Sequence, residues 1–167
     1  NKALSANDYF LLQGPPGTGK TSVMLKNLVA KLYNTQDECI LLTAFTNRAV
    51  DEICSSIKRI IQGIEFIRLG SKENTIHHDV LLQTIAETNE FATLQETIST
   101  CRVFVGTLSY LHTNPELFTL KKFTTAIVDE ASQILEPMLV GLLANVKRFI
   151  LIGDEKQLPA VVTQKER

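Results

Sequence analysis

Eight consecutive residues constrain this chain most, because Gly14–Thr21 form a complete G-x-x-x-x-G-K-[ST] motif. An apolar run at residues 9–12 precedes the motif, and apolar residues recur at helical spacing after it. These are Leu25, Leu28, Val29 and Leu32. Strand, glycine-rich loop and helix start thus follow in the order that a phosphate-binding loop requires, which predicts an α/β fold built around this loop.

The chemistry of the motif suits a polyphosphate. Its glycines let backbone N–H groups point inward, and the N-terminus of the following helix adds about half a positive elementary charge. Lys20 is predicted to reach the β- and γ-phosphates, and the Thr21 hydroxyl to bind Mg²⁺. We therefore predict a site for a nucleotide and Mg²⁺. The predicted nucleotide-binding residues are Gly14, Pro15, Pro16, Gly17, Thr18, Gly19, Lys20 and Thr21.

Composition indicates an ordinary globular domain. The 167 residues favour a single domain, 1–167, and a net charge of −1 does not indicate nucleic-acid binding through bulk positive charge. The three cysteines are far apart beside apolar residues, so we expect buried thiols and no structural metal. With no secretory pattern or long apolar run, we expect a soluble intracellular protein without a membrane partner, in the cytoplasm, nucleus or nucleoid.

Strand and helix patterns alternate along the chain, which predicts right-handed βαβ units and a mostly parallel sheet of about six strands flanked by helices. Ligands bind such sheets at the carboxyl ends of the strands. One or two helices are expected over residues 81–98, with a break near Asn89 if there are two, and a short helix is expected to begin at Pro137. The predicted strands are 9–12, 40–45, 65–69, 102–106, 124–129 and 148–153. Basic pairs at 121–122 and 147–148 are expected to be solvated.

A second motif places two acids at the end of an apolar strand. Asp129 is predicted to hold Mg²⁺ opposite Thr21, and Glu130 to orient or deprotonate the water that attacks the γ-phosphate. The alternative is a strand that ends in two solvated acids. A third stretch, Gly153–Pro159, is weak on its own.

Five stretches taken together resemble superfamily 1 helicases, in the family's order and over nearly the whole chain. The Asp-Glu-Ala-Ser-Gln and Thr-Asn-x-Ala-Val-Asp forms are similar to the 5′-to-3′ branch that contains the RNA-surveillance helicase and the replication helicase–nuclease. The matching stretches are Gly14–Thr21, Thr43–Asp51, Gly106–Thr107, Asp129–Gln133 and Gly153–Pro159.

The resemblance implies a RecA-like P-loop domain in which Lys20, Asp129, Glu130 and Gln157 serve ATP hydrolysis, Gln157 as the sensor of the γ-phosphate. It also implies that Thr46, Asn47 and Thr107 contact the backbone of single-stranded DNA or RNA. Hydroxyl and amide groups can bond phosphate oxygens without a large positive charge. For Thr46 and Asn47, helix capping is the alternative role, and the two roles are compatible.

The family's motor has two RecA-like domains with ATP between them, and arginines of the second domain reach the γ-phosphate. We expect residues 1–167 to be the first of these domains only, and we do not expect them to include the glutamine that contacts adenine in the family, which usually lies upstream of the phosphate-binding loop. The family's nucleic-acid-binding insertion is not evident, unless residues 71–100 are a shortened form of it. A trans-acting arginine contributes about 10³–10⁵ in rate. We therefore expect residues 1–167 alone to bind nucleotide, hydrolyse it slowly and unwind nothing.

Two other functions fit parts of the sequence. The phosphate-binding loop alone fits an AAA+-type remodelling ATPase equally well, although Gly153–Pro159 argues against it. A nucleotide-dependent binding module that grips a strand without turnover is the other alternative. His77 and His78 form a weak metal candidate, because adjacent residues point apart and no acidic or cysteine partner has ligand spacing.

Overall fold

The computed structural model of the chain describes residues 2–14, 24–60 and 62–154. Within these ranges six strands form one sheet. They are β1 (Tyr9–Gln13), β2 (Ile40–Ala44), β3 (Ile67–Leu69), β4 (Val103–Thr107), β5 (Phe123–Val128) and β6 (Val146–Gly153). Their order across the sheet is β1-β6-β5-β2-β4-β3, and every neighbouring pair is parallel. The predicted α/β fold with a parallel sheet is confirmed.

Helices connect these strands, as parallel pairing requires. They are α1 (Lys2–Ser5), α2 (Lys26–Tyr33), α3 (Asn47–Ile60), α4 (Leu82–Thr88), α5 (Phe91–Thr100), α6 (Leu108–Thr113), α7 (Leu117–Leu120) and α8 (Glu136–Leu143). Short 3₁₀ turns lie at Lys72–Asn74, His78–Val80 and Ala131–Gln133. Within the described ranges, no helix combines the length and the apolar character needed to cross a membrane.

The core lies on both faces of the sheet, which gives the predicted three layers. Side chains alternate along a strand, so on β2 Ile40 and Leu42 pack with α2 and α3, while Leu41 packs with α6, α7 and α8. Every residue of β2 and of β4 is buried. This explains why these central strands are continuous apolar runs without polar alternation.

Several boundaries differ from the sequence-based predictions by one or two residues. Strand β3 begins at Ile67 and not at residue 65, because pairing with β4 starts at the Ile67 and Phe104 register. Helix α8 begins at Glu136, so Pro137 lies inside the first turn, where its missing N–H leaves no intrahelical bond unmade. The predicted break near Asn89 is confirmed, since α4 ends at Thr88 and α5 begins at Phe91.

Arg148 is not solvated, contrary to the expectation for the basic pair that contains it. Its guanidinium donates to Glu38 Oε1 at 2.7 Å, to Thr125 Oγ1 at 2.8 Å and to the Leu4 carbonyl at 3.1 Å. The Arg148 and Glu38 side chains are only 13% and 17% exposed. The contacts of Arg148 therefore tie α1 and the segment just before β2 to β5 and β6. Neighbouring Lys147 is exposed, as expected.

The cysteines are buried and free, as expected, and this leads to a prediction about their reactivity. Burial raises the pKa of the Cys54 thiol to about 12 and that of Cys39 to about 11, from an ordinary value of 9.0. The reactive thiolate of Cys54 at pH 8 is thus about a thousandfold scarcer than in an exposed thiol. A disulfide reagent should label none of the three thiols in the folded chain and all three in urea. Rapid labelling of folded Cys54 would contradict this burial.

Candidate functional site

The start of the glycine-rich motif is fixed at the carboxyl edge of the sheet. The Gly14 N–H donates to the Gly153 carbonyl at 3.2 Å, so the chain leaving β1 lies beside the end of β6. Residues Pro15–Thr21 lie outside the described residues, as does Gln157. Their predicted roles therefore stay predictions. Gly14, the first residue of the motif, lies at the carboxyl edge of the sheet, where folds of this kind bind ligands.

Asp129 follows β5 directly and lies at the same edge. Its N–H donates to the Thr43 carbonyl at 2.8 Å, and its side chain is buried, with 3% of the residue exposed. Ile127, two residues earlier, packs in the cluster that contains α2. Because side chains alternate, Asp129 is on that same face, toward the helix that follows the glycine-rich motif. A carboxylate there fits Mg²⁺, which prefers oxygen ligands, with Thr21 as the predicted second protein ligand.

Glu130 adopts a left-handed backbone conformation, with φ 54° and ψ 33°. This conformation is costly for a residue with a Cβ, by about 1 kcal/mol. The Glu130 N–H donates to Asp129 Oδ1 at 3.0 Å, which helps to hold the turn. Burial, together with the negative charges of Asp129 and Glu52, raises the pKa of the Glu130 carboxyl. A carboxylate with a raised pKa is a stronger proton acceptor, as a general base requires.

The turn after Glu130 is joined to the end of β6. Ser132 Oγ accepts a hydrogen bond from the Asp154 N–H at 3.2 Å. A Cβ at Gly153 would lie 3.1 Å from the Ser132 nitrogen, so glycine is what permits this close approach. The acidic motif and the Gly-Asp motif are therefore one connected unit. Sequence reasoning gave Ser132 no role, because a serine in a turn carries no signal about a partner 22 residues away.

Thr46 and Thr107 both cap helices. They are two of the three residues predicted to contact single-stranded DNA or RNA. Thr46 Oγ1 accepts from the Ala49 N–H at 3.1 Å at the start of α3, and Thr107 Oγ1 accepts from the Tyr110 N–H at 3.2 Å at the start of α6. The capping role is thus established for both. A hydroxyl that accepts one such bond still has its own proton to donate. The proposed contact with a phosphate oxygen therefore remains available to them.

A groove of about 520 Å³ lies at the carboxyl ends of β2, β3 and β4. Among the described residues that line it, none carries a charge. Tyr110 contributes an aromatic ring to its wall. The polar lining includes Asn47, Ser71, Asn74, Gln83, Thr107 and Ser109. Amide and hydroxyl groups of this kind suit the backbone of a single strand, and an aromatic ring suits a base.

His77 does have acidic and cysteine neighbours in space, which corrects the expectation from its spacing in the sequence. Ligand atoms of Asp51, Cys54 and His77 lie within 4.8 Å of one another. The Asp51 carboxylate, however, already pairs with Arg68 and accepts from Thr75. Burial also raises the pKa of the Cys54 thiol to about 12, which disfavours the thiolate that a metal needs. The contacts therefore favour a hydrogen-bond network at this place.

Comparisons with known proteins agree with this geometry. Residues 1–92 and 81–165 match a family model described as an AAA domain. The DNA replication ATP-dependent helicase/nuclease JHS1 of Arabidopsis thaliana is 36% identical over 167 residues, covering 99% of this chain and 12% of that protein. The chain belongs to this AAA-domain family. The relative supports the predicted resemblance to superfamily 1 helicases.

Other relatives of the chain give the same picture. The DNA replication ATP-dependent helicase/nucleases DNA2 of Xenopus laevis and Homo sapiens are each 36% identical, over 99% of this chain and 16% of each relative. The chain thus spans 12–16% of the length of these three relatives. The crystal structure of the UvsW helicase from bacteriophage T4 matches with a TM-score of 0.62 at 15% identity, over 91% of this chain and 49% of the other. That likeness supports the RecA-like fold alone.

Proposed function

We propose that residues 1–167 form the first of two RecA-like motor domains of a helicase that hydrolyses ATP with Mg²⁺ while it moves along single-stranded DNA or RNA. The observation that carries the proposal is the convergence at one sheet edge. Gly14, Asp129 and Glu130 lie there, and so do the capping threonines and Asn47. A nucleotide and a strand bound along the same edge can influence each other through short connections.

In the proposed reaction Lys20 binds the phosphates, and Thr21 with Asp129 holds the magnesium ion. When bound there, the ion would supply charge neutralisation at the phosphoryl group. Glu130 holds and deprotonates the attacking water, and its raised pKa supports this role. Gln157 detects the γ-phosphate, and the bond between Ser132 and Asp154 supports a link from that segment to the acidic turn.

The strand is proposed to be held by hydrogen bonds more than by bulk charge. The uncharged lining of the groove and the net charge of −1 both support this view. Binding of this kind is less sensitive to salt than binding through lysine and arginine contacts. Such a protein acts inside the cell, in the cytoplasm, nucleus or nucleoid.

A second RecA-like domain is proposed to supply the arginines that complete the ATP site. Without them, residues 1–167 should bind nucleotide, hydrolyse it at a rate about 10³–10⁵ lower than the two-domain motor and unwind nothing. The alternative remodelling ATPase would gain activity from ring assembly or a protein substrate.

The decisive test is the ATPase rate of the full natural protein with and without single strands. We expect single-stranded DNA or RNA to raise the rate by an order of magnitude or more, and Lys20→Ala to lower it at least a hundredfold because the phosphates lose their cationic contact. Lys2→Ala, at an exposed lysine, is the matched control and should change little. Stimulation by a protein substrate but not by either nucleic acid would reject the helicase proposal.

A further inference from the structure

Arg68 lies in the middle of strand β3 and has no exposed surface. Its neighbours Ile67 and Leu69 are buried apolar residues, as expected of a strand in this sheet. A buried guanidinium is costly unless it is paired and its N–H groups are bonded. Strand β3 is also next to β4, which carries Thr107, one of the residues proposed to contact nucleic acid. Packing alone therefore does not explain an arginine at this position.

The acidic partner of Arg68 is Asp51 of helix α3. Arg68 Nε donates to Asp51 Oδ1 at 3.2 Å, and the same oxygen accepts from Thr75 Oγ1 at 2.8 Å. The other oxygen, Oδ2, accepts from the Ile76 N–H at 3.1 Å. With both carboxylate oxygens occupied, Asp51 cannot rotate without losing several bonds, so the guanidinium is held in one place.

The rest of the guanidinium is also engaged. Nη1 donates to the Leu69 carbonyl, and Nη2 donates to Asn47 Oδ1 at 3.0 Å. A Cβ at Gly70 would lie 3.0 Å from Nη1, and Gly70 has φ 155°, so glycine leaves the room that this arrangement needs. The network thus ends on the side chain of Asn47, at the first residue of α3 and on the wall of the uncharged groove.

We propose that Arg68 is a positioning residue that fixes the orientation of the Asn47 amide for strand binding. Because Oδ1 of Asn47 faces the guanidinium, its NH₂ group is directed away from Arg68. In that orientation Asn47 directs its two N–H donors away from Arg68, and such donors suit a phosphate oxygen. The proposal rests on the proposed function, since it assumes that Asn47 contacts the nucleic-acid backbone.

The test is a double-mutant cycle in the full natural protein, with affinity for a fluorescent oligonucleotide as the readout. Asn47→Ala should weaken binding about tenfold, as expected for loss of one hydrogen bond to a charged group. Arg68→Gln should weaken it by a similar factor. The double variant should be no weaker than either single one, because Arg68 acts through Asn47. Arg59→Gln, at an exposed arginine of α3, controls for the loss of a positive charge.

Each outcome decides something definite. If the double variant weakens oligonucleotide binding by the product of the two single-variant factors, Arg68 acts independently of Asn47, and the positioning role is overturned. If Asn47→Ala leaves affinity unchanged, the proposed strand contact at Asn47 fails first, which is a failure of the proposed function.

A second variant keeps the test decisive if Arg68→Gln does not fold. Asn47→Asp keeps an oxygen facing Arg68 and gains an ion pair, so its melting temperature should not fall. It replaces the NH₂ donors with a carboxylate oxygen, which repels phosphate, so strand affinity should drop well below that of Asn47→Ala. An Asn47→Asp protein that binds strands as tightly as Asn47→Ala or better would overturn the proposal.

Discussion

Replacing Glu130 by glutamine is expected to abolish strand-stimulated ATP hydrolysis while ATP binding is retained. The substitution keeps the size of the side chain but removes the proton acceptor that we propose for the attacking water. Loss of a general base typically lowers a rate by about 10²–10⁴. The measurement is the steady-state ATPase rate of the full natural protein with saturating single strands, beside ATP affinity from a fluorescent analogue.

Glu136→Gln is the matched control, because Glu136 is exposed at the start of α8, only six positions along the chain. It should keep nearly the full rate.

The same Glu130 variant separates a motor from a nucleotide-dependent gripper. A motor should lose translocation, whereas a gripper should keep its function. Full hydrolysis by Glu130→Gln would remove Glu130 from the mechanism.

Because the pKa of Glu130 is raised, we expect Glu130→Gln to change the thermal stability of the fold in a pH-dependent way. The folded state favours the protonated carboxyl more than the unfolded state does, so the ionised group destabilises the fold above its folded pKa. That penalty appears as pH rises from the ordinary value of 4.5 and is absent below it. Glu130→Gln should therefore unfold at a higher temperature than the natural chain at pH 7, and the difference should vanish near pH 4. An equal difference at both pH values would contradict the cause assigned to the shift.

Arg148→Met is expected to destabilise the fold strongly, by about 3 kcal/mol in the free energy of unfolding. Removing one member of a buried ion pair leaves the other as an uncompensated charge. Here Glu38 would keep only its two threonine donors, from Thr124 and Thr125. Urea unfolding of the chain, followed by circular dichroism, measures the change.

Neighbouring Lys147 provides the control, since it is exposed on the same strand. Lys147→Met should change the free energy of unfolding by no more than about 0.5 kcal/mol. Adding Glu38→Gln to Arg148→Met should restore part of the lost stability, because the orphaned carboxylate is then neutral. If Arg148→Met and Lys147→Met have equal effects, the buried pair is not a main support of the sheet.

Much of this protein could be predicted from its sequence because the signals are local. The glycine-rich motif, the apolar runs and the two acids after Val128 are contiguous, and each predicts its own geometry. The strands that they predicted form the observed parallel sheet, with boundary shifts of one or two residues. Parallel pairing then requires that all strand ends meet at one edge, so the alternation alone predicts where the candidate site lies.

Only the tertiary structure decided which polar residues are held in structural contacts and which are exposed. Nothing local distinguishes Arg148, which is paired, from Lys147, which is solvated, because the difference is a carboxylate 110 positions away. Arg68 in an apolar strand was a signal that sequence reasoning did not use, yet its partners Asp51 and Asn47 come from another element. The sequence determined the sheet, and the edge at which the candidate site lies, through short-range patterns. The direction of each donor at that edge depends on contacts between distant segments, which no local pattern encodes.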